Sequence, residues 1–317
     1  MKPTEACAWC GAPFDARSLR LGRRTVCRAC GAATTDPRPD DEELEAAYGD
    51  WYRPSDGGGR FNLAGDAILG RTRGLLARHL DEVAPPGPIL DVGAGEGTLL
   101  DALAARGRDV TGLERGAKRG DFLDEPIEAV ERGDGWAAVV FWHSLEHLPL
   151  PRSAIREAGR LLVPGGVLIV AVPNSDSIQA RLFGDRWLHL DIPRHLVHLS
   201  TATLVSGLEE DGFRIEAVSY LRGGQVVIGW LTGLVGSIPG RLDLYQALRR
   251  PEARLGDLTR RQQVLSLVAG IVLLPLAAAG AAAEILLRRG GTAYVEARTA
   301  GARAGHGPVR QGNDTSQ

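Results

Sequence analysis

PILDVGAGEGTLLDALAARG, residues 88–107, is the strongest indication of a fold in this chain of 317 residues. Its first apolar residues, 89–92, predict a short strand, and the residues from about Thr98 predict a helix. Three glycines between them predict a tight turn: Gly93, Gly95 and Gly97. Glycine lets a ligand approach the backbone closely, and the start of a helix offers free N–H groups. The order of strand, turn and helix therefore predicts an α/β domain with a ligand site at this turn.

The segment DVTGLE, residues 109–114, predicts a second strand that ends in an acidic residue. The glycine turn before it has the spacing G-x-G-x-G, whereas a dinucleotide-binding turn has G-x-G-x-x-G. Thr98 stands where the third glycine of that longer pattern would be. Glu114 follows the turn by about 20 residues, a position from which a carboxylate can accept hydrogen bonds from a ribose diol.

The composition is typical of a globular protein, with 44% hydrophobic and 24% charged residues. The net charge of −2 does not favour a nucleic-acid partner, for which a basic surface would be expected. No apolar run follows Met1, so we expect no signal peptide and a cytoplasmic location. The polar, glycine-rich segment 301–317 predicts a disordered tail.

All four cysteines of the chain form one pattern, Cys7-x2-Cys10 and Cys27-x2-Cys30. Two such pairs can supply the four thiolates of a tetrahedral zinc site, and a site closed by four cysteines is structural rather than catalytic. Two disulfides are the alternative, which a reducing cytoplasm disfavours. The pattern predicts a zinc ribbon over residues 1–38, followed by a linker and N-terminal helices over 39–84.

Several motifs, in this order, resemble the class I methyltransferases that depend on S-adenosylmethionine (SAM). They are LDVGAGEG (90–97), the acidic end of the second strand, VVFWHSLEHLPLP (139–151) and LLVPGGVLIVAVPN (161–174). FGDRWLHLDIPRHLVHLS (183–200) and TLVSGLEEDGF (203–213) are similar to the subgroup of ubiquinone-type O-methyltransferases. The segment 27–52 resembles the zinc-ribbon extension that some of these enzymes carry. The resemblance extends from Cys7 to Arg298.

The resemblance implies a doubly wound, Rossmann-like α/β sheet of seven strands, the last antiparallel, over residues 85–300. It implies that SAM is bound by Asp91, Gly93, Ala94, Gly95, Gly97, Glu114, Asp121, Trp142 and His143. Asp124 is the alternative to Asp121 at the adenine. Only about twenty residues separate Glu114 from the next strand, AAVVFW (137–142), so we expect a compressed version of the family fold with one helix lost. The family often begins that strand with Phe-Asp, whereas Trp136 and Ala137 stand here.

Two clusters of polar residues are expected at the carboxyl edge of the sheet, where open α/β sheets bind their ligands. His143, Glu146 and His147 follow the fourth strand, and the two histidines would share a face on one helical turn. His195, in the motif Asp191-x-Pro193-Arg194-His195, is the first candidate for a general base. The first cluster is a further candidate for a general base or a weak divalent-metal site. The alternative for both clusters is that they brace the loops by hydrogen bonds.

About seventy residues separate the predicted sixth strand, FRIEAVSYL (213–221), from the predicted seventh, TAYVEAR (292–298). This insertion, residues 223–290, holds two uncharged stretches, 223–240 and 262–283, each with apolar character. A single membrane crossing there would separate two strands that should pair. The alternatives are a helical cover over an apolar substrate pocket, a hairpin that dips into one leaflet, and a dimer interface.

These features predict a SAM-dependent methyltransferase that acts on a small, apolar or lipid-linked acceptor, with O-methylation favoured. A sugar or polyketide C-methyltransferase is one alternative. A non-catalytic SAM-fold module, assembling on a partner or a membrane, is another. The expected partners are the methyl acceptor and, through the insertion, a membrane surface at the inner face or a second copy of the chain.

Overall fold

The computed structural model describes residues 3–49, 61, 63–116, 119–131, 133–222, 225–254 and 256–299. The predicted disordered tail lies outside these residues. At the N-terminus three short strands form a small antiparallel sheet: β1 (Leu19–Leu21), β2 (Arg24–Val26) and β3 (Ala33–Thr35). Helix α1 (Asp41–Ala47) begins at a capping box formed by Asp40 and Glu43, and α2 (Leu63–Val83) leads to the glycine turn.

The main sheet contains seven strands, which are β4 (Ile89–Val92), β5 (Val110–Leu113), β6 (Phe122–Leu123), β7 (Trp136–Trp142), β8 (Leu162–Pro173), β10 (Phe213–Ser219) and β11 (Thr292–Thr299). Their order is β10-β11-β8-β7-β4-β5-β6. The strands from β4 to β8 pair in parallel, whereas β11 is antiparallel to both of its neighbours. The seven-stranded sheet with an antiparallel last strand is therefore confirmed. The strand order reverses beside β4, so the predicted ligand turn lies where such sheets bind ligands.

Helices cover both faces of the sheet. The remaining elements are α3 (Thr98–Ala104), α4 (Pro151–Leu161), α5 (Ile178–Phe183), β9 (Val197–His198), α6 (Thr201–Glu210), α7 (Val226–Gly236), α8 (Leu244–Leu248) and α9 (Arg260–Leu286). Alternate residues of each strand point to opposite sides. Leu90 and Val139 join a core with α4 and α6, and Ile89 and Ala138 join a second core with α2 and α3.

The connection between β5 and β7 is compressed, as the sequence predicts. In the part of this connection that the structure describes, β6 has two residues and the segment after it forms one 3-10 turn, Ile127–Ala129. The helical insertion is also confirmed, because α7, α8 and α9 all lie between β10 and β11. The predicted domain limits at residues 38 and 84 stay predictions.

The N-terminal sheet is joined to the rest of the molecule by backbone pairing. Strand β3 pairs antiparallel with β9, where Ala33 lies opposite His198 and Thr34 opposite Val197. Trp9 packs closely on α6, since a Cβ at Gly207 would overlap its indole ring. Cys7 and Cys27 belong to the same core as α4 and α6. The N-terminal segment therefore shares a core with the main sheet.

Candidate active site

The glycine turn after β4 has the conformation that its sequence predicts. Gly93, Gly95 and Gly97 have φ values of +80°, +60° and +80°, a region that side chains with a Cβ rarely adopt. Gly93 also lies against Ser144, which a Cβ at this position would overlap. The N–H groups of Gly93 and Ala94 donate to the carbonyl of Leu113, at 2.7 and 3.0 Å. These two hydrogen bonds fix the turn at the carboxyl ends of β4 and β5.

Glu114, the predicted ribose contact, lies across this turn. Its Oε2 accepts a hydrogen bond from the backbone N–H of Gly95 at 2.8 Å. The side chain follows the last residue of β5, so it projects from the same edge of the sheet as the turn. A carboxylate beside the turn is placed to accept hydrogen bonds from hydroxyl groups of a ligand.

Asp91 is a buried acid beneath the turn. It is 4% exposed, and its Oδ1 has no hydrogen-bond partner among the residues that the structure describes. Burial raises the pKa of Asp91 to about 7, with the neighbouring Glu114 acting in the same direction and the Arg73 guanidinium opposing it. An acid of this kind can take or release a proton near neutral pH when a charged ligand arrives.

Asp121 and Asp124 lie on either side of β6. Asp121 is 58% exposed and forms an ion pair with Arg119, with 2.7 Å between Oδ2 of Asp121 and Nη2 of Arg119. Asp124 instead accepts a hydrogen bond from the Gly116 N–H through Oδ1, at 2.9 Å. Arg119 lies over the glycine turn, because a Cβ at Gly97 would overlap its guanidinium. A contact between Asp121 and a cofactor stays a prediction.

The residues after β7 differ from the predicted helical turn. His143 has φ +55°, and only Leu145–His147 forms a single 3-10 turn, so His143 and His147 do not share a helical face. The His143 ring stacks on His189 instead, with 6.1 Å between ring centroids. Trp142 is 8% exposed and contacts the Tyr294 ring edge-on. The left-handed backbone at His143 redirects the chain and thereby separates the two histidines.

Glu146, His147 and His195 form the compact cluster that the two predicted motifs build together. Their ligand atoms lie within 4.8 Å of one another. Glu146 is 2% exposed, and within the described part of the chain neither of its carboxylate oxygens has a hydrogen-bond partner. Oε1 of Glu146 lies 3.8 Å from Nε2 of His195 and 3.6 Å from Nδ1 of His143. One carboxylate and two imidazoles are also a donor set for a divalent cation.

The tautomer of His195 follows from its hydrogen bond. Its Nδ1 lies 2.9 Å from the carbonyl oxygen of His189 and therefore donates, which leaves a lone pair on Nε2. Burial, together with nearby His147, His198 and Arg194, holds the pKa of His195 well below its ordinary value. Nε2 also lies 3.7 Å from Oδ2 of Asp191. A neutral imidazole can accept a proton at Nε2, and the neighbouring carboxyl groups of Glu146 and Asp191 can then stabilise the imidazolium.

The N-terminal sheet supports the loop that carries His195. Thr35 Oγ1 donates to the carbonyl of His195 at 2.6 Å and lies 3.1 Å from Nε2 of His198. The Thr35 N–H donates to the carbonyl of Leu196 at 3.0 Å. Sequence reasoning missed this support, because the hydrogen bonds join residues about 160 positions apart.

Two further residues of the cluster were missed. Tyr48, at the end of α1, places its hydroxyl 2.9 Å from Nδ1 of His147, and the Arg194 carbonyl lies 3.0 Å from the same nitrogen. His189 contributes both its carbonyl and its stacked ring. The aromatic and charged character of the segment 183–191 was the available signal for His189, whereas no local pattern pointed to Tyr48.

The four cysteine sulfurs also lie within 4.8 Å of one another. Sγ of Cys7 lies 3.7 Å from Sγ of Cys30, and Sγ of Cys10 lies 3.6 Å from Sγ of Cys27. These separations are far longer than a disulfide bond of about 2.05 Å. Zn–S bonds of about 2.3 Å in a tetrahedron place the sulfurs roughly 3.8 Å apart, so the arrangement fits a zinc ion.

Comparison with known proteins finds similarity to methyltransferases over about half of the chain. A family model described as "Methyltransferase domain" matches residues 68–218. The ubiquinone biosynthesis O-methyltransferase of Bordetella avium is 28% identical over 153 residues, which cover 40% of this chain and 64% of that protein. The protein of the same name from Psychrobacter arcticus is 33% identical over 104 residues, 27% of this chain and 40% of that protein. The chain thus spans less than two thirds of these relatives.

Solved structures give similarities of lower identity. A SAM-dependent methyltransferase from Archaeoglobus fulgidus superimposes with a TM-score of 0.42 at 15% identity, covering 71% of this chain and 93% of that one. The CcbJ methyltransferase from Streptomyces caelestis has a TM-score of 0.41 at 14% identity, covering 72% and 89%.

Proposed function

We propose that this chain, whose residues 68–218 match the family model of a methyltransferase domain, transfers a methyl group from SAM to an oxygen of a small apolar acceptor. The observation that carries the proposal is the glycine turn with Glu114 across it, beside a neutral imidazole at the same sheet edge. The relatives named for ubiquinone biosynthesis support oxygen as the acceptor atom and an apolar acceptor.

The residues around the turn suit a cationic, ribose-bearing methyl donor. SAM supplies an electrophilic methyl group on a positively charged sulfonium. Gly93 and Gly95 let a ligand approach the backbone, and the start of α3 offers N–H groups. Glu114 is placed for the ribose hydroxyls, and Asp91 supplies a carboxylate whose charge a cation would favour.

His195 is the proposed general base. Its Nε2 lone pair takes the proton of the acceptor hydroxyl while the oxygen forms a bond to the methyl carbon. The carbon–sulfur bond breaks with its electron pair, and the sulfur leaves as a neutral thioether. Glu146 and Asp191 stabilise the imidazolium that results. A divalent cation held by Glu146, His147 and His195 is the second candidate, and it would lower the pKa of the hydroxyl instead.

The experiment has two parts. Calorimetry with SAM, followed by release of S-adenosylhomocysteine in the presence of a catechol or a hydroquinone bearing an alkyl chain, tests donor and acceptor. We expect His195→Asn to lower kcat by roughly 100-fold or more while SAM affinity is unchanged. His79→Gln, on α2 and outside the cluster, is the matched control. Absence of SAM binding would contradict the proposal, and activity that chelators abolish without unfolding the chain would favour the cation.

A structural zinc ion held by Cys7, Cys10, Cys27 and Cys30 is part of the same proposal. The sulfur separations support it, because four sulfurs at these distances can bind one zinc ion as thiolates. Metal analysis of the purified chain tests it. Zinc in a one-to-one ratio, lost together with thermal stability in Cys30→Ser, is the expected result, and a folded chain without zinc would contradict it.

A further inference from the structure

Helix α9 has an unusual distribution of side-chain size. The residues that it buries against the rest of the chain are small ones and one acid, namely Ser266, Gly270, Ala277, Ala281 and Glu284. Its exposed side carries large aliphatic residues, which we call the aliphatic face: Val264, Leu265, Val268, Ile271, Val272 and Leu276. Ile271 and Val272 are 74% and 70% exposed. Helices on the surface of a water-soluble domain show the opposite arrangement, so this face suits an apolar environment.

The helix is long and apolar enough to cross a membrane by length and composition, and 22% of its most apolar window is buried. Both of its ends nevertheless form hydrogen bonds with other segments, the start with the loop between α7 and α8 and the end with α5. Near the start, Ser266 Oγ accepts from the Asp243 N–H at 3.0 Å, and Gln262 Nε2 donates to the Gly240 carbonyl. Near the end, Glu284 accepts from the N–H of Gln179 at 2.6 Å. Strands β10 and β11, which flank the insertion, pair with each other, so a crossing by α9 would need a second span to return, and α7 has only 11 residues. A position along a membrane surface is therefore favoured over a crossing.

Charge at the two ends of the aliphatic face favours an anionic lipid surface. Arg260 and Arg261 lie at one end and Arg288 and Arg289 at the other, and all four are exposed. Within residues 260–290 the only acid is Glu284, which is buried. Arginine side chains at the margin of an apolar face can reach lipid headgroups while the aliphatic residues enter the acyl region.

A second copy of the chain fits this face less well. Both ends are basic, so pairing two α9 helices in parallel or antiparallel orientation would place arginines against arginines. The face also lacks aromatic side chains, which are enriched in the cores of protein interfaces.

The helix is coupled to the loop that carries the proposed base. Glu284 Oε2 accepts from Gln179 Nε2 at 2.8 Å and from Trp230 Nε1 at 3.0 Å. Gln179 Oε1 in turn accepts from Trp187 Nε1 at 3.1 Å. Trp187 lies two residues before His189, whose carbonyl fixes His195. Helix α9 is therefore linked by buried hydrogen bonds to the loop that carries His195.

We infer that the aliphatic face of α9 lies on the surface of an anionic bilayer and that the methyl acceptor is a membrane-resident lipid reached from this side. The inference rests on the proposed function and specifies its substrate class. The full chain would bind the membrane peripherally, with the sheet and the N-terminal segment in the aqueous phase.

Flotation of the full chain with vesicles tests the inference. Vesicles of phosphatidylcholine mixed with phosphatidylglycerol are compared with phosphatidylcholine alone. We expect binding to the anionic vesicles, and Ile271→Ser with Val272→Ser should weaken it at least about tenfold, because two exposed aliphatic side chains leave the lipid. Leu19→Ser with Leu21→Ser, exposed on β1, is the matched control and should bind as the parent does. Arg260→Gln with Arg261→Gln should remove the preference for anionic lipid.

Two results would overturn the inference. One is a full chain that remains unbound with both kinds of vesicle. The other is a dimer, seen by sedimentation without lipid, that the Ile271→Ser and Val272→Ser pair converts to a monomer. Calorimetry with SAM in the absence of lipid separates the two proposals. Normal SAM binding without vesicle binding defeats only the membrane assignment, whereas vesicle binding without SAM binding defeats the methyltransferase proposal.

Discussion

At the scale of single residues, the protonation state of Asp91 should depend on whether a cationic ligand is bound at the glycine turn. Its carboxyl group lies beneath the glycine turn, and its pKa of about 7 reflects burial more than any partner. In the free chain the group is therefore mostly protonated below pH 7. A bound cation favours the carboxylate, so binding lowers the pKa of Asp91 and releases a proton.

The resulting prediction concerns the affinity for SAM between pH 5.5 and pH 8, a range of roughly one to two units around the pKa. We expect affinity to rise with pH, by at most about tenfold per unit, and to level off above the pKa of the free carboxyl group. Asp91→Asn should bind more weakly at high pH and show a flat profile. Calorimetry in buffers of different ionisation enthalpy also measures the released proton. Parallel profiles for parent and variant would contradict the assignment.

At the scale of elements, the sequence predicted those whose pattern is local. The strand, glycine turn and helix of residues 89–104 were predictable because glycine spacing and apolar runs determine them together. The sequence predicted a shortened connection between β5 and β7 but not the position of β6, since a strand of two residues has no alternation of apolar and polar residues. The exposure of the aliphatic face of α9 was not predictable, because the sequence of an uncharged helix does not indicate which side is buried. Packing against α7 and α8 decides it.

The candidate site was predictable to a similar degree. His195 and Glu146 each stood in a motif at the expected sheet edge, although their approach to 3.8 Å depends on how two loops fold over β7 and β8. The prediction that His143 and His147 share a face of one helical turn was wrong, because the backbone at His143 adopts a left-handed conformation that the residue type alone does not indicate. The contact between Tyr48 and His147 depends on tertiary structure, so no local sequence pattern around either residue indicates it.

At the scale of the whole molecule, the N-terminal sheet, the main sheet and the insertion meet at residues 184–200. Strand β3 pairs with β9 on one side of this segment, and α7 packs against Leu188–Leu190 on the other. Mutation of the N-terminal sheet should therefore affect catalysis without direct contact with either substrate.

Thr35→Val tests this coupling. It removes the hydrogen bond to the His195 carbonyl, and we expect a loss of about 1 kcal/mol in the free energy of unfolding and a lower kcat. Thr25→Val is the matched control, since Thr25 is equally buried but donates to Asp36, within the N-terminal segment. It should lose similar stability and retain kcat, while both variants retain SAM affinity. Equal kcat in the two variants would contradict the coupling. Urea unfolding and steady-state kinetics measure the two effects.

The position of β11 has a consequence for biosynthesis. This strand lies between β8 and β10, yet it is made after both of them and after the whole insertion. Until Thr299 has left the ribosome, β8 and β10 each present an open edge to the nascent chain's surroundings. During that interval α9 is already synthesised, so its aliphatic face is exposed before the sheet closes. An apolar surface that binds this face would therefore compete with completion of the sheet.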